Sequence, residues 1–258
     1  MALHTGDLQG RLYLSTLADD APITARENGF GLEIAEFCTA SNMDADFALW
    51  DGVVREKISG VDRRVLHAPF NELCPSAIDP LVLDVAKRRY EQAVKLARCY
   101  GINRIVVHSG YIPLVYFKEY FVERSVTFWR DFLKDKPSDL CLVLENVLED
   151  SPQQLMDIVR SVDDKRLRLC IDVGHANIMR RDMTLEAWTR AVLPYLGHAH
   201  LHNNAGTWDD HAGLDDGVID METIIRIIAE GQKDATLTLE TREAASSVAW
   251  LREKGFLQ

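Results

Sequence analysis

The 258-residue chain is 47% hydrophobic and 27% charged, a composition that buries a sizeable core and excludes an intrinsically disordered protein. Its formal net charge of −11 speaks against a nucleic acid as partner, because such affinity comes largely from Lys and Arg neutralising phosphates. Five scattered cysteines, Cys38, Cys74, Cys99, Cys141 and Cys170, lack any CxxC pair and read as reduced, mostly buried thiols of a cytoplasmic protein; residues 1–7 show no basic segment followed by an apolar one and no apolar run reaches eighteen residues, so neither export nor membrane spanning is expected.

Short β-rich runs alternate with stretches of helical period along the whole chain. Runs at 11–16, 31–37 and 64–68 come first. Asp79-Pro80 then supplies an N-cap and a first-turn proline for a helix whose inward face is read as Val82, Val85, Ala86, Ala93, Leu96 and Ala97, stopped by Gly101. Lys87-Arg88-Arg89 in that helix read as a solvated outer face. Runs at 104–109 and 140–147 precede Ser151-Pro152-Gln153-Gln154, which has capping-box spacing. Runs at 169–173 and 197–202 follow, then a helix opened by Asp220 with Ile224, Ile225 and Ile228 inward before Gly231, and a last run at 235–241. Several runs are nearly all apolar, as strands covered on both faces are. With no flexible linker and no Gly-rich nucleotide loop, residues 1–258 are expected to form one α/β domain, a single (β/α)8 TIM barrel rather than an open doubly wound sheet.

Residues able to bind a metal recur where these runs end. They are His67, His108, Glu145, Asp172 and His175, then His200, then Asp209 and His211, and finally Glu240. Any one of them alone reads as a hydrogen-bonded structural histidine or a helix-capping carboxylate. In a barrel all of them converge on one face, and so many ionisable groups in one pocket require a compensating cation or a bound polar ligand. Mixed imidazole and carboxylate donors suit Zn2+, Mn2+ or Fe2+ better than Ca2+. No strand ends in a lysine for Schiff-base chemistry, and no G-x-S-x-G elbow offers a nucleophilic serine.

At these residues the sequence resembles the xylose isomerase-like barrel superfamily, which holds sugar isomerases and epimerases, inosose dehydratases and apurinic endonucleases of the endonuclease IV type. The likeness runs from Gly31-Leu-Glu-Ile to Leu239-Glu240 and is most specific over 200–220, His-Leu-His-Asn-Asn-Ala-Gly-Thr-Trp-Asp-Asp-His-Ala-Gly-Leu-Asp-Asp-Gly-Val-Ile-Asp. By resemblance to the epimerase branch, Glu145, Asp172, His200 and Glu240 would hold one ion and His175 would contact substrate. By resemblance to the endonuclease branch, all nine of the residues above would hold three zinc ions. The chain departs from the endonucleases in having Leu201-His202-Asn203-Asn204 where they have Leu-Asn-Asp-Ser, and from the ketohexose epimerases in having Gly206 where they carry an arginine.

The resemblance implies a divalent-metal-dependent isomerase or epimerase of a sugar or sugar phosphate, acting through a metal-stabilised enediolate with one to three Zn2+ or Mn2+ ions. Glu145 and Glu240 would serve as acid and base. Glu33 is expected either to support the ligands from behind or to touch substrate, and Phe70 and Trp208 either to wall the sugar or to pack in the core. The alternative is a multinuclear-zinc phosphoesterase of the endonuclease IV type. The expected partner is a small-molecule sugar, with neither membrane nor nucleic acid, and self-association through the outer helices stays open.

Overall fold

In the computed structural model residues 8–258 are described; residues 1–7, and with them the reading of the amino terminus as free of an export signal, lie outside that range. Eight parallel strands, β1 (Leu12–Ser15), β2 (Gly31–Ile34), β3 (Arg64–His67), β4 (Arg104–His108), β5 (Cys141–Glu145), β6 (Leu167–Asp172), β7 (Leu196–Leu201) and β8 (Thr236–Leu239), pair in sequence order and close through β8 on β1. Each expected run overlaps one of them, with β6 and β7 beginning slightly earlier than expected, and the fold is the (β/α)8 barrel.

Strand periodicity divides the side chains. Leu66, Ile105, Val107, Leu142, Leu144, Leu169, Ile171, Ala199, Leu201, Leu237 and Leu239 point outward and join the main core under the helices. The alternate positions point into the barrel, where Tyr13, Val65, Val106, Val143 and Cys170 make a small separate apolar cluster. Two residues beyond Val65, Val106, Val143 and Cys170 stand His67, His108, Glu145 and Asp172. The same alternation that packs the barrel interior therefore lifts the ionisable groups to its C-terminal mouth.

The outer layer comprises α1 (Ala21–Asn28), α2 (Phe47–Lys57), α3 (Pro80–Cys99), α4 (Lys118–Leu133), α5 (Gln153–Val162), α6 (Val173–Met179), α7 (Leu185–Val192), α8 (Met221–Gly231) and α9 (Ala244–Glu253). Asp79 caps α3 by accepting from the Leu81 N–H at 2.8 Å, and Asp220 caps α8 through the Thr223 N–H. Ile224, Ile225 and Ile228 are buried as expected. The inward stripe of α3 differs from expectation. It runs Ala86, Tyr90, Ala93, Ala97 at i, i+4, i+7, i+11, while Val82 and Val85 are 41% and 48% exposed. Val85 falls a hundred degrees off that stripe, and Val82 lies in a first turn that also exposes Leu81. Ser151 does not cap α5: its hydroxyl meets the Gln154 side chain, and Pro152 holds the N-cap position.

Lys87, Arg88 and Arg89 do form a solvated face, paired with Asp131, Asp84 and Asp44. All five cysteines are free thiols; only Cys74 and Cys170 are buried, so the expectation of mostly buried thiols is corrected, with Cys99 exposed on the last turn of α3. Among the described residues no helix is long and apolar enough to cross a membrane.

Candidate metal centre

Glu145 closes β5, Asp172 closes β6, His200 is the penultimate residue of β7, and Glu240 follows β8 directly. Parallel pairing sets Asp172 opposite His200. One ligand atom from each of the four lies within 4.8 Å of the others. His200 Nδ1 stands 3.0 Å from Glu240 Oε2, 3.3 Å from Glu145 Oε1 and 3.7 Å from Asp172 Oδ2. Local structure fixes the carboxylates. Asp172 Oδ1 caps α6 by accepting the His175 N–H at 2.7 Å, and the Asn146 side chain bonds both the N–H and the carbonyl of Asp172 at 2.9 Å.

Three further groups share members with the first, one of them Glu33, His67 and His200. His67 and His108, closing β3 and β4, present their Nε2 atoms to Glu145 Oε2, each at 3.3 Å. His202, His211 and Glu240 form the third. Asp209 Oδ2 lies between His175 Nε2 at 3.2 Å and His211 Nε2 at 3.1 Å. All nine expected metal-binding residues thus meet at one mouth. Phe70 stacks on His108 with ring centroids 4.2 Å apart and meets His67 edge-on, so it walls the mouth; Trp208 is 73% exposed and belongs to neither core nor cluster. Glu33 is wholly buried beneath His200 with no surface left to meet a substrate.

Ring directions are as informative as distances. The Nδ1 atoms of His67, His175 and His211 face the backbone carbonyls of Ala68, Asn146 and Glu240 at 3.0, 3.0 and 2.7 Å. A carbonyl only accepts, so each ring donates from Nδ1 and turns Nε2 toward a carboxylate, the arrangement of metal-ligating histidines. Glu145 Oε2 has no hydrogen-bond donor of good geometry although two imidazole nitrogens stand beside it, and Asp209 Oδ1 and His202 Nδ1 are also buried without a partner. Such orphaned polar atoms are costly unless something else satisfies them. The donor set of three carboxylates and an imidazole, with these unsatisfied atoms around it, fits a divalent transition ion.

The proton affinities at the mouth follow from burial and charge. Burial alone would raise Glu145, Asp172 and Glu240, but the surrounding imidazoles hold all three below the usual carboxylate range. Burial likewise works against protonated His67, His175 and His200, and neighbouring acidic groups overcome it, raising all three well above the ordinary value. In His211 burial again opposes, and the bond to Asp209 lifts it to about 9. Burial prevails in His108, pushed down to about 4. The carboxylates thus draw positive charge to the imidazoles around them, where a cation would serve the same end.

Two inward-facing residues escape a reading by strand ends. His198 and His202 flank His200 at two-residue intervals, and all three rings are fully buried and point inward. His202 Nε2 lies 3.1 Å from Asp172 Oδ1, and its ring stacks on His211 at 4.2 Å. The signal was present in His-Ala-His-Leu-His, which is strict strand alternation.

The family model for the xylose isomerase-like TIM barrel matches residues 44–254. D-psicose 3-epimerase of Ruminiclostridium cellulolyticum is 29% identical over 156 residues, covering 55% of this chain and 52% of that enzyme. Among solved structures, the TTHB071 protein from Thermus thermophilus, soaked with zinc chloride, is 26% identical with a TM-score of 0.72 over 95% of this chain and 97% of that one. A D-tagatose 3-epimerase-like protein shares the fold at 21% identity, with a TM-score of 0.75 over 95% of this chain and 96% of the other. The barrel, its mouth and the match over most of the chain make this protein a member of the xylose isomerase-like TIM barrel family.

Proposed function

We propose that the chain is a divalent-metal-dependent sugar isomerase or epimerase. The observation that carries this reading is the convergence of Glu145, Asp172, His200 and Glu240 at the ends of four strands, with one ligand atom apiece within 4.8 Å of the others. The epimerase named above, 29% identical over its matched part, supports it. Glu145, Asp172, His200 and Glu240 would hold the ion, Zn2+ or Mn2+ by their donor chemistry. When bound, it would supply Lewis acidity to the carbonyl and adjacent hydroxyl of an α-hydroxy carbonyl sugar.

The side chains supply the proton chemistry. Glu145 and Glu240 are both ionised and approach His200 Nδ1 from β5 and from the end of β8. One of them takes the carbon-bound proton next to the carbonyl, and the other, once it has taken up a proton from solvent, delivers it: to the same carbon from the opposite face in an epimerase, to the neighbouring carbon in an isomerase. His175, held by the Asn146 carbonyl, has Nε2 free to orient a substrate hydroxyl once Asp209 turns away. Phe70 keeps water from one side of the mouth. The reading is tested with Glu145→Gln and Glu240→Gln proteins carrying the metal. Exchange of substrate carbon-bound hydrogen with solvent is expected to fall by about 100-fold or more in each; exchange at the parent's rate in both would sink the assignment.

A second reading has its own observation. His67 and His108 converge on Glu145, and His175 and His211 on Asp209, positions that a single ion leaves unused. Several ions there would suit hydrolysis of a phosphate ester. Elemental analysis of the purified protein decides: about one ion per chain is expected for the isomerase, and about three would transfer the assignment to a phosphoesterase.

A further inference from the structure

Beneath the mouth the barrel interior departs from the apolar filling usual in this fold. Glu33 of β2, fully buried, receives three side chains: His200 Nε2 at 3.0 Å on Oε1, and His198 Nε2 at 3.0 Å and the Thr238 hydroxyl at 2.6 Å on Oε2. His198 Nδ1 meets the Thr236 hydroxyl, and Thr236 in turn accepts from Arg104 at the start of β4. Five interior residues therefore link the floor of the barrel to a proposed metal ligand.

The protons along this column have one consistent assignment. An ionised carboxylate only accepts, so both rings reach Glu33 as Nε2–H and Thr238 donates its hydroxyl hydrogen. His198, with Nε2 donating, meets the Thr236 hydroxyl at Nδ1, and Arg104, a donor only, supplies the Thr236 oxygen. Reversing either ring would set a bare nitrogen against the Glu33 carboxylate, two acceptors face to face where neither has exposed surface.

We infer that Glu33, braced by His198, is a positioning residue that holds His200 with its proton on Nε2, so that Nδ1 is the atom offered to the ion. The pair acts through His200 and never meets substrate. His200 is thereby set opposite in sense to His67, His175 and His211, whose Nδ1 atoms are held by backbone carbonyls. A backbone carbonyl cannot serve His200 in this way, because its Nε2 points down the barrel axis where only side chains reach. This inference rests on the metal reading given above.

The test is competition titration of Zn2+ against a chromogenic chelator for the parent, Glu33→Gln and His198→Gln proteins, together with 15N-histidine spectra of the zinc-loaded forms. The parent should show His200 as the Nε2–H ring with Nδ1 shifted by zinc. Glu33→Gln should bind zinc about 10- to 100-fold more weakly and lose that single ring signature, the usual scale for a partner behind a metal ligand. His198→Gln, which leaves the carboxylate in place, should weaken binding in the same direction by less, and it decides the matter if Glu33→Gln does not fold. Affinity within about twofold of the parent with an unchanged His200 spectrum would overturn the inference alone. A parent that binds no ion would overturn the metal reading and this inference together.

Discussion

A single missing methyl group makes room for His202. Gly174, in the first turn of α6, lies so close to the His202 ring that a Cβ placed there would fall against its Cε1, Nε2 and Nδ1 atoms. The ring is fully buried and engaged with Asp172, so it has nowhere to go. Gly174→Ala should therefore cost about 1–3 kcal/mol of stability by overpacking, seen as a fall of several degrees in Tm. The displaced ring pushes on Asp172, so zinc affinity should drop as well; a variant with the parent's Tm and affinity would show that the ring has room to move. The sequence displayed both residues without revealing that they meet, because Gly174 and His202 are brought together only by the pairing of β6 with β7.

At the scale of single elements, what could be read and what could not have different physical causes. Apolar runs ending in His, Asp or Glu were legible because a strand covered on both faces tolerates an ionisable group only at its mouth. The depth of Glu33 was not. Its position in β2 resembles that of the other strand-end acids, yet pairing sets it opposite Val65, one interior layer below His67. The tilt and stagger of barrel strands decide such depths, and no single strand carries that information. His198 was hidden for the same reason, lying level with Cys170, one layer under His200. In α3 the start and stop were written in Asp79-Pro80 and Gly101, but the choice between neighbouring valines and alanines for the inward stripe depends on where the barrel surface ends. Trp208 was ambiguous by type, since an aromatic in a loop packs inward or projects equally well, and here it projects.

At the scale of the whole molecule, the charge held inside the mouth sets how stability depends on pH. His67, His175 and His200 titrate well above an ordinary imidazole and His211 at about 9. In the metal-free protein their contribution is complete below about pH 6.5 and is lost in alkaline solution, through about 9 for His211, where the folded state gives up protons that the unfolded chain has already released. His108 and His198, both pushed down to about 4 by burial, act in the other direction. Below about pH 6.5 the unfolded chain takes up protons there that the folded protein refuses, so their contribution falls away between about pH 6.5 and 4. Scanning calorimetry of chelator-treated protein should thus find the highest Tm near pH 6.5, lower at about 4.5 and at about 9.5. A Tm that climbs steadily into alkaline conditions would contradict the proton arrangement deduced for the mouth.

Barrels of this kind ordinarily separate their two ends: the loops above the strands diversify for chemistry while the underside serves only to keep the molecule folded. Here Arg104 and Thr236 sit on that underside, yet each is one hydrogen bond or two from a ring that leads to Glu33 and His200. The freedom to vary is therefore unequal around the base of this barrel. A change at β4 or β8 that looks remote from the opening can still be felt there, and the polar thread through its centre ties the evolution of floor and mouth together.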